Sequence, residues 1–179
     1  MALIDAPVSG AVPRAETATL TIMVGSDDSA AAEWAKLVLS LMGNRLFETG
    51  GLGTGHAMKA LNNFIAAAGY TAAAEALAIG SRFGLDPARM LEIINLSTGR
   101  NFNTEVVMKE HLLDGKFATG FALGLMAKDV KTAADLGRAL GVDAPISALL
   151  SQRWALALER LGPTRDFSAA ALSWNETDD

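Results

Sequence analysis

At 179 residues, half of them hydrophobic, the chain is long enough to bury the core of one domain, or of one domain and part of another. A net charge of −5 and a pI near 5.0 argue against a nucleic-acid partner, whose phosphates demand clustered Lys and Arg. The absence of cysteine excludes disulfides and thiolate chemistry and suits a reducing, cytoplasmic compartment, and two distant histidines give no zinc-binding spacing. A mean hydropathy of +0.25 is high for a soluble monomer, so further surface is expected to be buried against a partner or against more of a larger protein.

In chain order, no basic region followed by an apolar core opens the chain, so no secretory signal is read. Ala2 to Asp5 reads as a short strand ending in the turn A-P-V-S-G, where Pro7 removes a donor and Gly10 opens backbone angles closed to other residues. Thr19 to Val24 is β-branched and partly alternating, a second strand. Gly25 to Asp28 supplies a turn and an N-cap for a helix from Ser29 to Met42, and Arg45 to Glu48 is a third strand. These elements resemble the end of an α/β domain more than a whole one.

A long helix is expected from Thr54 to Phe83, apolar on nearly all sides and therefore buried on nearly all sides. Its most apolar part, Ala60 to Gly80, is mostly alanine and carries Asn62, Asn63 and Glu75, so it reads as a buried helix with no membrane partner. Gly84 suits a C′ position, with Asp86 as N-cap and Pro87 as N1 of a helix over Ala88 to Leu96, whose stripe is Met90, Leu91, Ile93 and Ile94. Ser97 to Asn101 breaks the chain before a short helix at Thr104 to Leu113, and Asp114 to Gly120 is loop. Helices follow at Phe121 to Leu140, Pro145 to Arg160 and Ser168 to Trp174, then a frayed T-D-D tail.

The stretch T-G-G-L-G-T-G-H-A-M-K-A-L-N-N, Thr49 to Asn63, is the densest in polar chemistry. On a helix Lys59 lies over Asn62 and Asn63, with His56 one turn before it. The plain reading is a glycine linker and a solvated lysine. The chemical one is an ammonium that exchanges a proton with a substrate oxygen oriented by Asn63. Asp5 to Gly10 is either an ordinary turn or an anion-binding turn that offers backbone N–H groups and the Ser9 hydroxyl. Lys128–Asp129 is either an adjacent charge pair or a cation facing a pocket with a carboxylate bracing a neighbour. The glycines at 51, 53 and 55 do not match the dinucleotide fingerprint G-x-G-x-x-G, whose third glycine would fall on His56 or Met58.

Taken in order, D-A-P-V-S-G (5–10), T-L-T-I-M-V-G (19–25), G-x-G-x-x-x-K-x-x-N-N (53–63), S-T-G-R (97–100) and G-F-x-x-x-L-M-A-K-D (120–129) resemble the β-hydroxyacid dehydrogenase family, kin of 6-phosphogluconate dehydrogenase in fold. The resemblance implies a mainly α fold: a remnant of the nucleotide-binding domain over 1–50, made of the last strands of a Rossmann fold, and a helical catalytic and oligomerisation domain over 51–179. It implies an NAD- or NADP-dependent dehydrogenase of a small β-hydroxy acid or its semialdehyde, assembled as a homodimer or higher homo-oligomer. Lys59 then matches the catalytic lysine, Ser9 and Gly10 the substrate-carboxylate turn, and Asn63 the substrate-orienting amide. Lys128 matches a lysine near the nicotinamide, supported by Asp129. Ala11 stands where the family commonly has a second glycine. Because the fingerprint turn is missing, the cofactor site is expected to be incomplete in this chain and the chain inactive alone. The rival expectation is a non-catalytic helical dimerisation module.

Overall fold

The computed structural model describes residues 1–175, so the expected T-D-D tail lies outside the described residues. The chain divides into two compact units, Met1–Asn62 and Asn63–Asp179, with the division falling inside the long helix.

The first unit is built on the central strand β3 (Thr21–Ser26). Along one side run β1 (Ile4–Asp5) and β2 (Val8–Ser9), both antiparallel, with Asp5 opposite Gly25 and Ser9 opposite Thr21. The expected turn after Asp5 is therefore an interrupted strand. Pro7 has no N–H, yet its carbonyl still accepts the Met23 N–H at 3.0 Å, so the register survives the gap. The reversal comes at Gly10, at φ 139°, and leads into a short helix α1 (Ala11–Glu16) that the sequence reading missed because Pro13 and the preceding glycine look like loop. On the other side β3 pairs in parallel with β4 (Arg45–Gly50), joined by the crossover helix α2 (Ser29–Leu39). Asp28 caps α2 through the Ala31 N–H at 3.0 Å, as its position implies. Leu20, Ile22, Val24 and Ala32 form the unit's small core.

The 30-residue α3 (Thr54–Phe83) has the expected bounds but not the expected burial. Within the second unit its inner face, Ala67, Tyr70, Ala73, Ala74 and Leu77, is in the core, whereas Ile65 is 67 % and Ile79 69 % exposed. An apolar circumference shows only that burial is available; which side is used depends on what packs there. By length and composition α3 could also cross a membrane, a test that the core helix of a soluble protein passes too.

α4 (Pro87–Asn95) starts at the expected cap, the Asp86 carboxylate accepting the Arg89 N–H, but only Leu91 of its stripe is fully buried and Ile93 is exposed. Asn103–Leu113 is wound as a π-helix where an α-helix was expected. A hydrophobic pattern this short does not separate the two windings, and the β-branched Thr104, Val106 and Val107 weaken the tighter one. The Asn103 amide fixes its start by donating to the Ala66 carbonyl at 2.9 Å. α5 (Leu123–Ala139), α6 (Pro145–Leu161), a 3₁₀ turn (Phe167–Ala169) and α7 (Ala170–Asn175) complete the bundle.

Its centre is aromatic. Tyr70 meets Trp154, Phe167 and Trp174 edge-on with centroids 5.5–6.0 Å apart, and Trp154 is fully buried with its indole N–H on the Thr71 hydroxyl at 3.2 Å. Burial pushes the Tyr70 phenol well above its ordinary pKa, and its hydroxyl donates to the Ser168 carbonyl. Tyr70 is thus a structural group.

Candidate active site

In the first unit three of the expected residues come from two segments. Ser9 ends β2 opposite Thr21 and is half-buried, and Gly10 follows it in a left-handed conformation. A side chain at Gly10 would also collide with Arg14, its Cβ falling 2.6 Å from the Arg14 Cβ. Ala11 adopts φ 53°, so the residue that departs from the family pattern occupies a backbone conformation natural to glycine. Lys59 stands on the second turn of α3, half-buried among its neighbours.

What ties these segments together is Asp5, to which the sequence reading gave no role of its own. Its buried carboxylate, 7 % exposed, accepts the Gly53 N–H and the His56 N–H, each at 2.7 Å, and lies 3.0 Å from the His56 Nδ1. Burial alone would raise its pKa, but these bonds outweigh it and hold the carboxyl below the usual carboxylate value. Two glycines make the room: a Cβ on Gly25 would fall 2.3 Å from one Asp5 oxygen, and a Cβ on Gly55 2.7 Å from the other. The signal in the sequence was the spaced glycines at 51, 53 and 55, read there as a failed nucleotide fingerprint. Of these, Gly55 admits the Asp5 carboxylate and the Pro7 ring, Gly51 leaves room for the Asp27 carboxylate, and Gly53 takes a positive φ of 91°.

In the second unit the remaining residues form a chain of contacts. The Asn63 amide donates to Asp129 Oδ2 at 2.6 Å, and Lys128 Nζ lies 2.8 Å from Asp129 Oδ1. Asn63 and Asp129 are buried and Lys128 is exposed, so Asp129 holds an amide on one oxygen and a solvent-facing ammonium on the other. The pair is thus an adjacent charge pair whose carboxylate also braces a neighbouring amide.

A dinucleotide pyrophosphate needs backbone N–H groups at a helix start. In the first unit both helix starts of sufficient length already hold a carboxylate, Asp28 on α2 and Asp5 on α3. Each carboxylate sets a negative charge at a helix start, where a pyrophosphate would itself need the N–H groups.

Comparison with known proteins gives matches along the chain. Residues 53–174 match the family model described as the NAD-binding domain of NADP-dependent 3-hydroxyisobutyrate dehydrogenase, and residues 1–51 that of the NAD-binding domain of 6-phosphogluconate dehydrogenase. The 2-(hydroxymethyl)glutarate dehydrogenase of Eubacterium barkeri is 38 % identical over 97 % of this chain and 57 % of its own length. The NAD-dependent L-serine dehydrogenase of Pseudomonas aeruginosa is 34 % identical over 99 % of this chain and 61 % of its own. The structure of Mycobacterium tuberculosis 3-hydroxyisobutyrate dehydrogenase with L-serine superposes with a TM-score of 0.84 at 30 % identity, covering 97 % of this chain and 61 % of that one. The chain thus spans about three-fifths of the length of these relatives. With both segments matched in order and a mainly helical fold behind a small αβ remnant, the chain belongs to the 3-hydroxyisobutyrate dehydrogenase family of NAD(P)-dependent oxidoreductases.

Proposed function

We propose that this chain carries the substrate-handling part of a dehydrogenase for small acids with a primary alcohol β to a carboxylate. The names of the relatives support that class. 3-Hydroxyisobutyrate, L-serine and 2-(hydroxymethyl)glutarate share the unit HO–CH₂–CH(R)–COO⁻ and differ only in R. In this reading the turn at Ser9 and Gly10 binds the shared carboxylate through backbone N–H groups and the hydroxyl. Asn63 orients the substrate, and a neutral Lys59 amine accepts the hydroxyl proton on oxidation and returns it on reduction. Bound NAD or NADP would take or give the hydride at the hydroxyl-bearing carbon. Lys128 would lie toward its nicotinamide, held by Asp129.

The observation that carries the reading is the junction of Asp129 with both Asn63 and Lys128, which joins residues assigned from two separate motifs. The exposed apolar stripe of α3, Ile65, Ala72, Ala76, Ile79 and Phe83, recurs at helical spacing and supports a homo-oligomer built on that helix.

The test is a panel of HO–CH₂–CH(R)–COO⁻ acids with both cofactors on the full-length protein, followed by Lys59→Ala. Loss of general acid–base catalysis is expected to lower kcat about 10²- to 10⁴-fold with the fold and cofactor affinity retained. A Lys59→Ala enzyme that keeps most of its kcat removes Lys59 from the chemistry.

A further inference from the structure

We infer that Asp5 is a positioning residue for Lys59: it supplies, from β1, the N-cap that α3 lacks in its own sequence. This rests on the role proposed for Lys59.

A helix start needs an acceptor for its first N–H groups, and an Asp, Ser or Thr at the cap position normally provides it. Here that position is Gly53, which has no side chain, and the N–H three residues on is that of His56. Asp5 bonds both, one oxygen to each, and its second oxygen also meets the His56 ring. The carboxylate does the work of a local cap from 48 and 51 residues away.

The cradle is specific to this use. Gly25 and Gly55 leave room for the two oxygens, and a Cβ on Gly55 would also come within 3.1 Å of the Pro7 ring and 2.5 Å of the Met23 carbonyl. The first turn of α3 is thereby seated directly on the β1–β3 pair. Lys59 lies six residues, about 9 Å of helix rise, beyond Gly53. Four residues after Asp5 comes Ser9, at the turn proposed to bind the substrate carboxylate. One buried charge therefore sets the starting point of the helix that bears the amine and of the strand that leads to the anion-binding turn.

Displacement of a reacting group by about 1 Å can cost roughly 10²-fold in rate, so loss of this anchor is expected to show in kcat. The experiment compares Asp5→Asn and Asp5→Ala in the full-length protein, with Asp166→Asn as reference. Asp166 is a half-buried carboxylate of the other unit that accepts from Thr119, Gly120 and Ser168, outside the proposed site. Expected for the Asp5 variants are a loss of at least about tenfold in hydrogen-exchange protection of the Gly53 and His56 amides and a drop of about 10- to 100-fold in kcat, with the KM for cofactor unchanged. Asn, which keeps the shape and one acceptor, should fall less than Ala. Asp166→Asn should lose stability and keep kcat. The inference is overturned if the two amides stay protected, if kcat stays within about twofold of wild type, or if Asp166→Asn loses kcat to the same extent. Failure of the Lys59 reading is separately visible, because a fully active Lys59→Ala enzyme would leave the amide result for Asp5 untouched.

Discussion

Ala11 shows how a single residue can be at odds with its own backbone. At φ 53° an L-residue places its Cβ close to its own carbonyl, a strain of about 1 kcal/mol that glycine does not feel. Ala11→Gly is therefore expected to raise stability by about 0.5–1 kcal/mol, read as a higher urea midpoint at constant m. The carboxylates of Asp5 and Asp166 carry the opposite lesson, since the hydrogen bonds each accepts favour the ionised form. For Asp5 and Asp166, burial pushes the pKa up, but their hydrogen bonds overcome it and leave the folded value below the ordinary 3.8. A group with a depressed folded pKa contributes stability that is complete above its unfolded pKa and lost as pH falls through the folded one. Acid unfolding followed by circular dichroism should thus steepen only below about pH 4, and Asp5→Asn or Asp166→Asn should flatten that limb while lowering stability at pH 7.

At the scale of elements, α3 was legible end to end because glycines, an apolar run and a second Gly-Leu-Asp-Pro signal bracket it. Its burial was not legible, since composition does not say which flank meets the rest of the protein. The same limit explains Ile93, which fits a stripe by spacing yet is exposed. The π-winding of 103–113 and the continuation of β1 through Pro7 depend on contacts with Ala66 and Met23, partners distant in the chain. Of the candidate site, the residues proposed to bear chemistry were singled out by type and spacing. Asp5 did not, because its importance lies in two N–H groups about fifty positions away. The exposed stripe of α3 gives an element-scale prediction. If it is the oligomer face, each isoleucine is worth about 1.5–3 kcal/mol on burial. Ile65→Glu with Ile79→Glu should then yield a monomer by light scattering with unchanged helicity, and a wild-type protein that is itself a clean monomer would rule the face out.

On the scale of the whole molecule, the two units differ in how they are held. The second has a continuous aromatic and aliphatic core from Ala67 to Ala171, whereas the first has a few aliphatic residues and leans on hydrogen bonds to carboxylates. The starts of its two longer helices are occupied by the protein's own negative charge, which repels phosphate. The 179-residue chain by itself is accordingly expected to bind NAD(H) or NADP(H) weakly, and a calorimetric titration giving micromolar affinity would contradict that.

A cap that comes from so far away also has a history in time. Most helices meet their capping side chain within a turn, so the end closes as the helix forms. Here closure waits on a loop of about fifty residues and on the β1–β3 pairing that delivers the carboxylate. The leading turn of the longest helix should therefore consolidate late in refolding, after its alanine-rich middle, and pulse-labelled exchange at Gly53 and His56 would record the delay.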